Sequence, residues 1–263
     1  MVHKNDIIEG WVKHLPTLDK LNKLKYNFLK GENDMNLVKN YFKDWSKLDI
    51  VWLVVANLSI LGCSIYWGDN LFLIIMALTG ISANLLVAKG KILNYPLGIV
   101  NVIMYGYVAY KSALYGDFTL NIFFYLPMNI LGWYLWKKKS NDNSTVESKK
   151  LTTKQLLLVL GVTLSLWIGY GCVLTLQNGS LPFIDSASTV LSVVSMILMI
   201  KCYREQWFGW IIVNLISILM WYISIKQGKG DLTTLFMWIV YLTNSVYGCI
   251  MWIKGSKGVK DNG

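Results

Sequence analysis

Eight blocks of apolar residues, 50–67, 71–88, 96–112, 118–136, 154–176, 186–200, 208–225 and 232–252, alternate along this chain with short loops that hold most of its charge. A helix of about 20 apolar residues spans the roughly 30 Å hydrocarbon layer of a bilayer, so each block is a candidate crossing. A large soluble protein with buried core helices is the competing reading. With 54% hydrophobic and 15% charged residues, too little polar chain remains to cover so much apolar surface. The expectation is an all-α polytopic membrane protein with about eight transmembrane helices.

Lysine placement sets the orientation, because cytoplasmic loops retain Lys and Arg. The N-terminal 48 residues, Lys89, Lys91, the run Lys137 to Lys139 with Lys149, Lys150 and Lys154, Lys201, Arg204, Lys254, Lys257 and Lys260 all fall on one side of an eight-span layout. Both termini are then cytoplasmic. Topology and attraction to anionic lipid account for the net charge of +10, which leaves no need for a nucleic-acid partner. Met1 to Lys30 lacks the continuous apolar run of a cleavable signal peptide.

The reading divides the chain into a cytoplasmic tail (1–48), a first membrane half (49–136), a polar linker (137–153), a second half (154–254) and a C-terminal tail (255–263). Within the first tail, Leu37, Val38, Tyr41, Phe42, Trp45 and Leu48 share one helical face and Lys39, Lys43 and Lys47 another. That pattern predicts an interfacial helix over 36–48 lying on membrane lipid. Cys63, Cys172, Cys202 and Cys249 lack metal-ligand or CxxC spacing and read as packing residues, with no metal and no cofactor implied.

The two halves repeat one another. Asn101 and Asn214, Asp117 and Asp231, Asn129 and Asn244, and Trp136 and Trp252 are separated by 113 to 116 residues. Halves that share one orientation are related by an axis along the membrane normal, an arrangement found in transporters. Similarity is strongest over the last three spans of each half. A three-helix bundle used twice and joined by a linking helix is the expected core.

Polar residues inside the blocks lie on helical stripes. Trp207, Trp210, Asn214, Ser217 and Trp221 step by three and four, as do Asn121, Tyr125, Asn129, Gly132 and Trp136, and Trp238, Tyr241, Asn244 and Gly248. An amide facing lipid has no hydrogen-bond partner, so these stripes must face protein or a water-filled cavity. Isolated asparagines also serve as glue between helices, and tryptophans at span ends anchor in the interface. Trp52, Trp67, Trp136 and Trp252 are read as such belt residues. Trp210 and Asn214 share one continuous stripe and are read as ligand contacts, with Gln206, Trp207 and Asn101 beside them.

No Asp, Glu, Lys or Arg lies well inside any block, and both histidines, His3 and His14, are in the tail. Proton-coupled carriers and intramembrane hydrolases need an ionisable group there. The residues present suit a planar, polar solute, neutral or a delocalised cation, stacked on Trp and Tyr and hydrogen-bonded by amides. A membrane-embedded enzyme and a structural scaffold are the other classes in play.

The Trp207-x-x-Trp210-x-x-x-Asn214 motif, the partner segment ending in Asn101, the Gly-Asp turns and Asn244-x-x-x-Gly248-x-x-x-Trp252 resemble the PnuC family of bacterial vitamin transporters over roughly residues 49–254. The resemblance implies a fold of the SWEET type, a homotrimer, and facilitated diffusion of nicotinamide riboside with trapping by a cytosolic nucleoside kinase. It is a transporter reading, without catalytic residues. Relatives that carry riboflavin or thiamine share the fold. Carried over, the motif has Trp207 and Trp210 flanking the nicotinamide ring and Asn214 bonding the ligand, with Trp238, Tyr241 and Asn244 contributing from the last span. At the 113-residue offset Trp207 pairs with Asn94 and Trp210 with Leu97. The tryptophan pair is then absent from the first half, and one site weighted toward the second half is expected.

Overall fold

The computed structural model describes residues 41–112, 114–140, 145–176 and 182–256. Two compact units are separable, Met1–Ser46 and Lys47–Gly263. Of the first, the rings of Tyr41, Phe42 and Trp45 pack edge to face, and the chain turns at 42–44 before the first membrane helix starts at Lys47. The proposed interfacial helix is thus interrupted before residue 48. Leu37, Val38 and Lys39 lie outside the described residues.

The second unit is helical. Its elements are α1 (Lys47–Trp67), α2 (Leu71–Ala88), α3 (Asn94–Lys111), α4 (Tyr115–Thr119), a π-helical turn (Leu120–Tyr125), α5 (Leu126–Lys139), α6 (Thr153–Leu176), α7 (Pro182–Ile200), α8 (Gln206–Lys226) and α9 (Leu232–Ser256). Seven of the eight apolar blocks each coincide with one helix, and the block 118–136 is divided among α4, the π turn and α5. Six of them, α1, α2, α6, α7, α8 and α9, are long and apolar enough to cross a membrane. In α3 the apolar run is diluted by two asparagines and four tyrosines, and the rod from α4 to α5 is interrupted by its π turn.

The π turn has a local cause. Pro127 has no N–H to give the Phe123 carbonyl, and its ring crowds that carbonyl in a regular helix. Widening the preceding turn relieves the clash. It also keeps residues four apart in line better than 3.6 residues per turn would, so Asn121 and Tyr125 remain on one face with Asn129.

Helix contacts close a ring. Within it α2 packs on α3, α3 on the α4–α5 rod, α5 on α7, α7 on α8, α8 on α9, and α9 back on α2. Two helices lie outside it. Helix α1 packs on α2 and α9, and α6 packs on α7. Only Gly171 of α6 is buried, and the rest of that helix is clothed in exposed leucine, valine and isoleucine. Such a surface is suited to hydrocarbon.

Three pairs of features recur in both halves. The loop after α2 turns at Gly90 (φ 63°) and the loop after α7 at Cys202 (φ 68°), the one described non-glycine residue at positive φ. Segment 145–151 runs between these loops. Val146 N–H donates to Gly90 O at 2.9 Å, Lys149 N–H to Cys202 O at 2.8 Å and Arg204 N–H to Lys149 O at 2.9 Å. The linker read from sequence as a plain polar connection is therefore a strap bonded to both halves. Burial pushes the Cys202 thiol up, so it stays protonated and packs as a small apolar group.

Trp136 at the end of α5 donates its indole N–H to the Met199 and Ile200 carbonyls that end α7, each at 3.2 Å. Trp252 at the end of α9 donates to Ala88 O at the end of α2, at 3.0 Å. These two tryptophans, read as belt anchors, are 0% and 4% exposed. They cap helix carbonyls that have no intrahelical partner, each reaching from one half into the other.

A third correspondence corrects the register. Gly132 makes room for the Tyr95 ring, and Gly248 for the Trp207 ring. Trp207 therefore occupies the place of Tyr95, 112 residues earlier, as Cys202 occupies that of Gly90. At this offset Asn214 stands opposite Val102 and Asn101 opposite Val213. The 113-residue pairing of Asn101 with Asn214, and of Trp207 with Asn94, is one residue out.

Candidate functional site

The ring encloses a cavity of about 160 Å³ lined by α2, α3, the α4–α5 rod, α7, α8 and α9. Both halves contribute. This differs from the expectation of a site weighted toward the second half, although the tryptophans on the wall, Trp207, Trp210 and Trp238, all come from that half.

Helix α8 supplies the best-defined part. Trp210 lies on the wall with its ring 6.1 Å from that of Tyr125 at an interplanar angle of 43°, and its Nε1 donates to Gln206 Oε1 at 3.4 Å. Trp207 is 1% exposed, wedged over Gly248 and edge-on to Trp252 at 6.0 Å. Its Nε1 has no hydrogen-bond partner among the described residues. Asn214 is buried on the wall and donates through Nδ2 to Ser245 Oγ at 2.8 Å. That bond fixes the amide plane.

The opposite side is built by α3 and the α4–α5 rod. Asn121 and Asn129 each donate Nδ2 to the carbonyl four residues back, Asp117 O and Tyr125 O, both at 2.8 Å. With one N–H of each amide bound locally, the second N–H and the amide oxygen are left to face a ligand. Gly98 is required there, since a Cβ would lie 2.9 Å from Asn129 Oδ1. Asn101 donates to Met76 O at 2.9 Å and reaches the wall from α3. Trp238 and Tyr241 come from α9, in edge contact with each other at 5.3 Å, and Trp238 meets Tyr105 at 5.8 Å.

Two residues chosen from sequence are not on the wall. Gln206 is fully buried at the start of α8, holding the Trp210 indole. Asn244 is fully buried between helices: its Nδ2 donates to Asn84 and its Oδ1 accepts from Trp52 Nε1 at 3.4 Å. It ties α9 to α2 and α1. Trp52, also read as a belt anchor, has its indole N–H turned to that amide.

Other wall residues were not singled out from sequence. Asn84 on α2, Tyr105 on α3, Asp117 on α4 and Ser192 on α7 all line the cavity. The signal for Asp117 was in the chain, because Asp117, Asn121, Tyr125 and Asn129 form one series with a spacing of four. Placing the span boundary at 118 hid it in a turn. Among the described residues it is the one charged group on the cavity wall. The buried ion pair at the ends of α1 and α2 is structural: Lys89 and Asp49 meet at 2.7 Å, and Tyr247 donates to the same carboxylate, fastening α1, α2 and α9.

Aromatic faces, amide oxygens and hydroxyls around a narrow space can bind a planar polar molecule. Among the described residues no group of histidine, cysteine, aspartate and glutamate could hold a metal ion.

Comparison with known proteins gives a consistent answer. Residues 70–254 match the family described as Nicotinamide mononucleotide transporter. The nicotinamide riboside transporter PnuC of Neisseria mucosa is 36% identical over 225 residues, covering 82% of this chain and 84% of that protein. The Haemophilus influenzae protein of the same name is 31% identical over 222 residues, covering 83% and 95%. A solved structure, the crystal structure of the vitamin B3 transporter PnuC, superposes with a TM-score of 0.75 at 36% identity, covering 83% of this chain and 96% of that one. The chain therefore belongs to the PnuC family of multi-pass membrane transporters.

Proposed function

We propose that this protein carries nicotinamide riboside across the bacterial cytoplasmic membrane through the cavity ringed by α2, α3, α4–α5, α7, α8 and α9. The observation that carries the reading is the pairing of Trp210 and Tyr125 beside the fixed Asn214 amide, in a chain whose relatives are named for that substrate. The nicotinamide ring is held against the Trp210 face, and Asn214, Asn121 and Asn129 bond the carboxamide and ribose hydroxyls.

Eight crossings with both termini cytoplasmic agree with the lysine distribution. The strap at 145–151 and the caps of Trp136 and Trp252 then lie at the cytoplasmic face. The recurring glycine, cap and loop features favour two three-helix units related by an axis along the membrane normal, with α6 as the link. Transport is by facilitated diffusion, with phosphorylation in the cytoplasm preventing return. Among the described residues the cavity wall carries one carboxylate, Asp117, with no histidine, lysine or arginine beside it to pass a proton on, and the ion pairs are near the ends of helices.

Titration of purified protein with nicotinamide riboside, nicotinamide, thiamine and riboflavin tests the substrate. Nicotinamide riboside is expected to bind tightest and to be recovered chemically intact. Binding of riboflavin or thiamine alone would overturn the assignment.

A further inference from the structure

One carboxylate lines the cavity, and among the described residues no lysine, arginine or histidine does. Asp117 Oδ2 accepts from the Tyr105 hydroxyl at 2.7 Å, and that hydroxyl accepts from Trp221 Nε1 at 2.8 Å. Trp221 and Tyr105 are buried, so the chain Trp221, Tyr105, Asp117 holds the carboxylate in one direction. Its second oxygen, Oδ1, has no hydrogen-bond or ion-pair partner among the described residues. Trp238 stands edge-on to Tyr105 at 5.8 Å and shares the same wall.

A half-buried carboxylate without a cation is costly to keep, because desolvation is not offset by a nearby opposite charge. The protein has ten more basic than acidic residues, yet among the described residues none of the basic ones lines the cavity beside this carboxylate. The wall therefore presents a directed negative charge among aromatic rings. Both features attract a delocalised cation, the rings through their faces and the carboxylate through its charge.

We propose that Asp117 is the counter-charge of the substrate and a specificity-determining residue: it selects the positively charged pyridinium nucleoside over a neutral one of the same shape. This rests on the substrate reading given above. Nicotinamide riboside carries a fixed positive charge on its ring at every pH, whereas its 1,4-dihydro form has the same ribose and carboxamide and no charge. Tyr105 is the positioning residue, occupying one carboxylate oxygen and leaving the other for the ligand.

Calorimetric titration of the full chain with these two compounds tests the proposal. Wild-type protein is expected to bind the cation at least about tenfold more tightly than the dihydro form. Asp117→Asn should lose about tenfold or more in affinity for the cation while its affinity for the neutral compound stays within about twofold. Asp117→Glu, which keeps the charge, should restore most of the preference. Equal losses for both compounds in Asp117→Asn, or an undiminished preference, would overturn it. Should that variant fail to fold, the wild-type comparison decides: equal binding of the two compounds overturns the counter-charge alone. Binding of neither overturns the substrate reading and the proposal with it.

Discussion

Trp210 and Asn214 have their geometry fixed by neighbours that do not themselves line the cavity. Gln206 holds the indole and Ser245 holds the amide, so binding does not have to order either group. Trp210→Ala is expected to weaken substrate binding at least tenfold in folded protein, read by calorimetry. Gln206→Ala should weaken it less, through a mobile indole. The glycines opposite the large rings are fixed by space. Gly248→Leu and Gly132→Leu would drive a side chain into Trp207 and Tyr95, at a cost of about 1–3 kcal/mol each, measured by thermal unfolding in detergent. Gly90 needs φ of 63°, and Gly90→Ala should be destabilising, since its Cβ also meets the Val146 carbonyl at 2.8 Å.

Among the elements, the apolar blocks announced the helices, six of them long and apolar enough to cross a membrane, because lipid demands long uninterrupted apolar runs and loops collect the charge. Stripes were legible for the same reason. What stayed hidden depends on register and on partners distant in sequence. Trp136 and Trp252 look like interface anchors from their position at span ends, yet each caps a helix of the other half, which only the packing reveals. Asn244 has the spacing of a wall residue, but the stripe is wide enough that it faces α2 instead. The one-residue slip between halves arose from aligning Asn101 with Asn214, whereas the rings of Tyr95 and Trp207 and the turns at Gly90 and Cys202 set the true frame. Trp136→Phe and Trp252→Phe should each cost about 1 kcal/mol through a lost indole hydrogen bond. The π turn makes a further prediction. Pro127→Ala permits a regular helix, which rotates Asn121 off the wall. Substrate affinity is expected to fall while the melting temperature holds or rises, and an unchanged affinity would detach the π turn from function.

At the scale of the whole molecule, the ring is closed by two seams, α2 with α9 and α5 with α7, and it is crossed on one side by the strap at 145–151. Ser148 Oγ also donates to Trp252 O at 3.1 Å, so the strap touches the cap of α9 as well as the two loops. A carrier must open its cavity to each side in turn, and parts that join both halves at one face limit how far they separate there. Replacing residues 145–150 with a flexible glycine-serine stretch is expected to leave substrate affinity within about twofold and to lower the transport rate, measured as uptake against binding in the same preparation. A cut in affinity equal to the cut in rate would instead make the strap part of the binding site.

The proposed route is one cavity, shared by the two halves, that passes nicotinamide riboside down its gradient. Purified protein in sealed vesicles, given radiolabelled nicotinamide riboside without ATP or an ion gradient, tests it most directly. The label should equilibrate across the membrane and stop there, and Trp210→Ala and Asn214→Ala, folded and inserted, should slow it severely. Accumulation above the outside concentration, or flux equal to wild type in both variants, would contradict the account.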